Sequence, residues 1–453
     1  MPNFYMRQDS ISPFRRGKGL GRLEIFLNKK LDKANNTMNN ITKAFEAAFC
    51  GMTIFASCAF AQDAGNEVGK GGQQKWFERE SLVLQPAADK IAPDSGFAPS
   101  AVWTGEVWGN VSRGGDIKSV VDSLLTVGIE QDISKLVGKD GWGTFGISAF
   151  WFGQSHGRGL GVESSQGDCS NIFASEMVRV FEIYYANEFE TKSGTIGFRI
   201  GQLAADEDFM GMDYSDAFLN SSFGAMPNIA PAELFSQYSV ATLGVVVYYN
   251  YENFDATFGF YNGNVGVDRS SNNGFDYSDT FETVAFWYQF GYNYKLGGLE
   301  GRAMLGGNYH SDPSKVGLDG RNFYSFYFGL QQAFLNDSEG NAFLGGFARI
   351  GWVPSGESSA NNFYADFGLN VFGPIPQRPD DVFAVGFSVI ENERDARYVD
   401  GFAHYEGALE ITYKAQITPA ISFQPDFQIF FNPADRDDHG AAYVIGARAE
   451  VAF

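Results

Sequence analysis

Arg199, Arg302, Arg349, Glu106, Glu182 and Glu410 each stand on the polar side of a segment in which apolar and polar residues alternate. Arg448 belongs to the same set. A guanidinium is planar and can bond two oxygens at once, while carboxylates accept hydrogen bonds from hydroxyls. Set around a narrow water-filled passage, such opposite charges create a transverse field and offer contacts to a neutral, hydroxylated solute. Trp108 shares its face with Thr104, Glu106 and Asn110, which turns its ring toward the same interior, where it could pack on the C–H face of a pyranose. The plainer alternative for each is that an inward Arg–Glu pair braces the wall. Trp151 and Trp352 share a face with aliphatic residues and read as girdle residues at a lipid interface. Trp103 lies in or beside a strand, and the facing of Trp287 stays open.

Other chemistry finds little support. His156, His310, His404 and His439 are far apart and form no metal motif. The acidic stretches Ala205–Asp216 and Asp435–Asp438 lack the spacing of a calcium loop and read as solvated connectors. No phosphate loop, nucleophile elbow or zinc signature is present, so neither an enzyme nor a cofactor is expected. A net charge of -21 argues against nucleic acid, because phosphate binding needs basic patches. The three cysteines make no disulfide framework, and Cys169 reads as an inert loop thiol.

The elements that carry these residues have a period of two. Thr144–Gly153 places Phe145, Ile147, Ala149 and Trp151 on one face, with Gly146 and Ser148 on the other. Thr195–Leu203 turns Ile196, Phe198 and Ile200 one way and Arg199 the other. Asn362–Val371 and Ile421–Phe431 repeat the pattern, the latter with Ser422, Gln424, Asp426 and Gln428 inside. About sixteen such strands, each of the roughly ten residues that cross a bilayer at a tilt, predict an all-β transmembrane antiparallel barrel. Short connectors (188–194, 251–254, 296–299, 335–341, 418–420) alternate with long polar ones (154–175, 204–237, 262–281, 310–321, 353–361, 390–402, 432–440). That is the asymmetry of periplasmic turns and extracellular loops.

The only long apolar run, Ala44–Ala61, follows Lys43 and ends in Ala59-Phe60-Ala61, the order of a secretory signal peptide cleaved after Ala61. Cys50 and Cys58 fall within it, and Met38 is an alternative start. Residues 62–99 are expected as a periplasmic segment and 100–453 as the barrel. The last strand puts Tyr443, Ile445, Ala447, Ala449, Val451 and Phe453 on one face. A terminal strand closing on an aromatic residue resembles the signal read by the outer-membrane barrel-assembly machinery.

Several stretches resemble the carbohydrate-selective porins of the OprB family. They are Thr104–Asn110, Glu182 in VFEIYYANEF, Arg199–Gln202, Phe218–Ser221, Phe347–Gly351 and Arg378–Asp381. Most specific are Tyr405-Glu406 through Glu410 and Tyr413, then Gln424–Gln428 and Asn432-Pro433. The resemblance implies a sixteen-stranded barrel in the outer membrane of a Gram-negative bacterium that passes sugars such as glucose by diffusion. It places Glu106, Arg199, Arg349 and Glu410 near the constriction. The match is weak over Phe77–Pro99, and the acidic loops depart from a simple glucose pore. The expected partners are small sugars, outer-membrane lipid and lipopolysaccharide, in a monomer or homotrimer. A general diffusion porin, or an adhesive or structural barrel with a closed pore, would share this architecture.

Overall fold

The computed structural model describes residues 78–453 apart from 113–117, 154–159, 161, 163, 165, 175–177, 233, 266–273, 276–279, 313–321, 355–360, 392–402 and 434–439. The leader with Cys50 and Cys58, the acidic run Asp435–Asp438, and His156 and His439 lie outside the described residues.

Sixteen antiparallel strands close into one barrel, each bonded to its sequence neighbours and β1 bonded to β16. In chain order they are β1 (Phe97–Asn110), β2 (Lys118–Asp132), β3 (Thr144–Phe152), β4 (Val178–Thr191), β5 (Gly194–Leu203), β6 (Thr242–Tyr251), β7 (Phe254–Asn262) and β8 (Val284–Leu296). There follow β9 (Leu299–His310), β10 (Phe323–Asn336), β11 (Ala342–Trp352), β12 (Phe363–Phe372), β13 (Val382–Glu391), β14 (Tyr405–Thr418), β15 (Ile421–Phe431) and β16 (Ala442–Ala452). Closure runs from Val102 opposite Ala452 to Asn110 opposite Val444, and Phe453 N–H donates to the Ala101 carbonyl at 2.8 Å. A bilayer offers no water to unpaired backbone, so a closed sheet is one of two ways a chain can span it. No helix among the described residues is long and apolar enough to cross a membrane.

β10 shows how the pattern works. Tyr324, Phe326, Phe328 and Leu330 are exposed on the outside, while Phe323, Ser325, Tyr327 and Gly329 are buried within. The outward alternation of β5 and β12 also follows the sequence reading, with Ile196, Ile200, Phe363, Phe367 and Leu369 exposed. Trp151 and Trp352 are exposed outward, as girdle residues should be.

Two short helices sit at the turn end of the barrel. α1 (Leu84–Ile91) precedes β1, and α2 (Ile133–Val137) lies between β2 and β3. Asp132 caps α2 by accepting from Ser134 and Lys135 N–H, and Gly138 ends it in the left-handed region at φ 72°. β1 opens at Phe97, slightly ahead of the expected start at 100.

The inner face holds the main departure from expectation. A water-filled lumen would leave inward side chains wet, yet Trp287, Tyr261, Tyr327 and Tyr364 are buried. The connector between β5 and β6, expected as a solvated extracellular loop, is what covers them. Its Phe209, Met212, Phe218, Phe223, Met226 and Phe235 are at most 4% exposed and form one core with those wall residues. Each such side chain contributes about 1.5–3 kcal/mol on full burial, more than a solvated excursion could match.

Candidate functional site: a two-loop collar inside the barrel

The β5–β6 loop is held to the wall by polar clamps spaced along it. Gln289 Oε1 accepts Met210 N–H at 3.0 Å, and Gln331 holds Asp213 through both its backbone N–H and its carboxylate. Asn308 donates to the Ile229 carbonyl, and Asn370 to the Tyr214 carbonyl. Phe218 packs against Gly386, where an added Cβ would come within 2.7 Å of its ring. Glycine is needed there because the loop approaches the wall so closely.

Two of the expected solute contacts prove to be clamps. The Arg349 guanidinium, fully buried, pairs with Asp366 at 2.5 Å. It also donates to the carbonyls of Met210 (3.1 Å), Phe223 (2.6 Å) and Gly224 (2.8 Å). One planar group thus ties together two arms of the loop. Glu410, also fully buried, accepts from Leu219 N–H at 2.6 Å and Asn220 N–H at 2.9 Å. Both residues lie on the inner wall, as alternation required, but buried beneath the loop.

The β3–β4 loop also turns inward and covers the other side of the wall. Its Leu160 and Cys169 pack with Trp108, Val444 and Phe430, and its Ile172 packs with Leu124, Phe150 and Phe152. Burial pushes the Cys169 thiol well above its usual range, and neighbouring carboxylates add to this, which suits an inert thiol. Trp108 therefore points inward but is 0% exposed, so its ring packs on protein. Its Nε1 donates to Glu106 at 2.7 Å, and Glu106 accepts from Arg448 Nε at 2.6 Å. Arg448 in turn reaches Asn171 on the loop. The two loops meet where Ser221 N–H donates to the Asp168 carbonyl at 3.0 Å. Together they form a collar.

Inside this frame, Arg199 keeps partial access to the lumen, while Glu182 is buried and accepts from Ala204 N–H of the loop at 2.9 Å. Arg199 bonds Glu182 Oε2 at 2.9 Å and Asp208 at 3.0 Å, its side chain 18% exposed. Its guanidinium lies 4.6 Å from the centre of the Tyr184 ring, and Tyr184 Oη donates to Glu130 at 2.6 Å. A bulge in the pairing of β3 with β4 brings Glu182 and Tyr184 onto the inner face below Phe181. Next along the wall, Tyr248 Oη donates to Glu188 at 2.5 Å. Arg302 lies at the turn end, bound to Asp255 at 2.5 Å and to Asn293 at 3.1 Å, away from the collar.

The collar's exposed edge is acidic, carrying Glu207, Asp213 and Asp216. Removal from bulk water raises the Asp216 carboxyl to about 6, Asp213 and Glu207 push the same way, and Arg349 opposes them. Asp206, with its Oδ2 accepting from Tyr238 N–H, is raised to about 7, chiefly by burial. Among the described residues, no group of three or more His, Cys, Asp or Glu is placed to hold a metal ion.

A profile described as "Carbohydrate-selective porin, OprB family" matches residues 121–453. The high-pH structure of Pseudomonas putida OprB superposes with a TM-score of 0.73 at 17% identity, covering 84% of this chain and 100% of that one. The low-pH structure gives 0.53 at 14% identity, covering 83% and 99%. Among curated proteins, the porin AaxA of Chlamydia pneumoniae is 28% identical over 108 residues, which is 24% of each chain. The chain thus spans about a quarter of that relative's length.

Proposed function

This chain belongs to the OprB family of carbohydrate-selective porins, a channel rather than an enzyme, and on that premise we propose that it passes neutral sugars of about glucose size across an outer membrane by diffusion. The observation that supports this reading best is the partly exposed group of Arg199, Asp208 and Tyr184 at the collar, backed by the buried Glu182. It offers a fork of donors, carboxylate acceptors and an aromatic ring within one solute's reach, the combination a polyhydroxylated ring needs. In this reading residues 1–61 direct export, 62–96 lie at the periplasmic side, and the strand ending at Phe453 engages the assembly machinery. The far rim meets lipopolysaccharide, and the protein works as a monomer or homotrimer.

Swelling of liposomes carrying the mature protein tests the function. Glucose should enter faster than a neutral amino acid of similar size. Rates ordered by size alone would leave a general diffusion porin, and no swelling would leave a closed barrel. Arg199→Ala should slow glucose entry severalfold while changing ion conductance less, because it removes a sugar donor without opening the collar. An equal change in both would remove Arg199 from the sugar path.

The raised carboxyls of the loop add a pH dependence. As pH falls, Asp206 takes up a proton through about 7 and Asp216 through about 6, so the collar loses negative charge on acidification. The cation-to-anion permeability ratio, read from reversal potentials, should therefore fall between pH 8 and pH 5. Because the fold favours their neutral forms, these two groups also hold the loop more firmly at the acid end.

A further inference from the structure

The rim at the turn end carries an apolar patch that the transport reading leaves unused. Leu82 is buried against Trp103, Ile421 and Val451, all on the outward face of their strands, so the segment entering α1 runs on the outside of the barrel. It is fixed there by Leu82 N–H donating to the Ala452 carbonyl at 3.1 Å and Ser81 Oγ to the Phe453 carbonyl at 2.5 Å. From this anchor α1 leads to Ile91, 82% exposed, and to Phe97, 38% exposed. Gly96 then abuts Asp132 and Lys135 of the neighbouring turn, joining α1 to α2. There Leu136, Val137 and Trp142 are 66%, 53% and 47% exposed. Lys90, Lys135 and Lys139 are exposed among them.

We propose that α1 and the α2 turn form an amphipathic shelf whose exposed apolar residues insert into the headgroup layer of the periplasmic leaflet, with the lysines on lipid phosphates. The occupant follows from continuity: the patch joins, through Leu82 and Trp103, the band of apolar side chains that already faces lipid. Short helices with exposed Ile, Leu and Trp beside Lys are what a membrane interface selects. The proposal rests on the reading of the barrel as membrane-spanning.

Nitroxide labels in the full mature protein, reconstituted in phosphatidylethanolamine–phosphatidylglycerol vesicles with Cys169→Ala, test it. Labels at Ile91→Cys and Leu136→Cys should collide more with oxygen than with a water-soluble nickel complex. Labels at Asp89→Cys and Asp140→Cys should show the reverse. Phe367→Cys, on the outward band, is the control: an aqueous reading there would undo the spanning barrel itself. Lipid contact at 367 with aqueous readings at 91 and 136 would overturn the shelf alone. Dipolar broadening between labels at 91 in separate molecules would assign the patch to a second copy and also overturn the proposal.

Discussion

Arg349→Ala should leave a folded barrel that is markedly less stable and whose conductance is larger and noisier, while its sugar entry becomes less dependent on solute size. Removing one partner of a buried ion pair costs about 3–5 kcal/mol, because the charge left behind stays buried. Here Asp366 and the carbonyls of Met210, Phe223 and Gly224 all lose a donor together. The loop will not leave the lumen, since its buried Phe and Met side chains contribute about 1.5–3 kcal/mol each and together outweigh the lost clamp. What loosens is the bend that Arg349 ties, between Met210 and Gly224.

Two companion variants separate a clamp from a solute contact. Arg349→Lys should rescue little, because an ammonium cannot fork to Asp366 and reach both arms of the loop. Adding Asp366→Asn to Arg349→Ala should recover stability but not the original conductance, since the loop carbonyls remain without a donor. Denaturation followed by the gel shift between folded and unfolded barrel reads stability, and single-channel recording reads the opening. An unchanged conductance with slowed glucose entry would return Arg349 to the sugar path.

The sequence and the structure part company at a definite physical boundary. Strand number, closure and facing were legible because lipid on one side imposes a strict period of two, visible in β10 and β12 residue by residue. Inward charges were legible for the same reason, and Arg199 remains partly open to the lumen. What alternation cannot say is whether an inward residue meets water or another part of the chain. Arg349, Glu410 and Trp108 point inward as expected, yet two loops brought from far along the chain cover them. A signal for this did exist. A solvated connector has no use for Phe209, Met210, Met212, Phe218, Phe223, Met226, Ile229, Leu234 and Phe235 within some thirty residues, and that content argues for burial. The acidic residues of Ala205–Asp216 are interleaved with it and mask it. Of those, Glu207, Asp213 and Asp216 occupy the loop's exposed edge, while their apolar neighbours face the wall.

That exposed edge carries the second large effect. Replacing Glu207, Asp213 and Asp216 by Gln, Asn and Asn should cut the preference for cations about tenfold at low salt and admit anionic sugars such as uronates. The wall's cations offset these carboxylates only in part: Arg199, Arg302, Arg349, Lys414 and Arg448 are each already paired with another acid. One unit charge about 6 Å from a solute in water is worth roughly 0.7 kcal/mol, so three approach 2 kcal/mol before screening. Ions at 0.1 M confine such a field to about 10 Å, longer than the separation of about 6 Å used above, so some discrimination survives physiological salt. Neutral glucose feels little of this field, and its entry should change far less than that of glucuronate. Reversal potentials in a salt gradient and paired swelling rates for glucose and glucuronate read the two parts separately. If the triple variant excluded glucuronate as the parent does, charge at this edge would have no part in selection, and the collar would sort solutes by size and hydroxyl contacts alone.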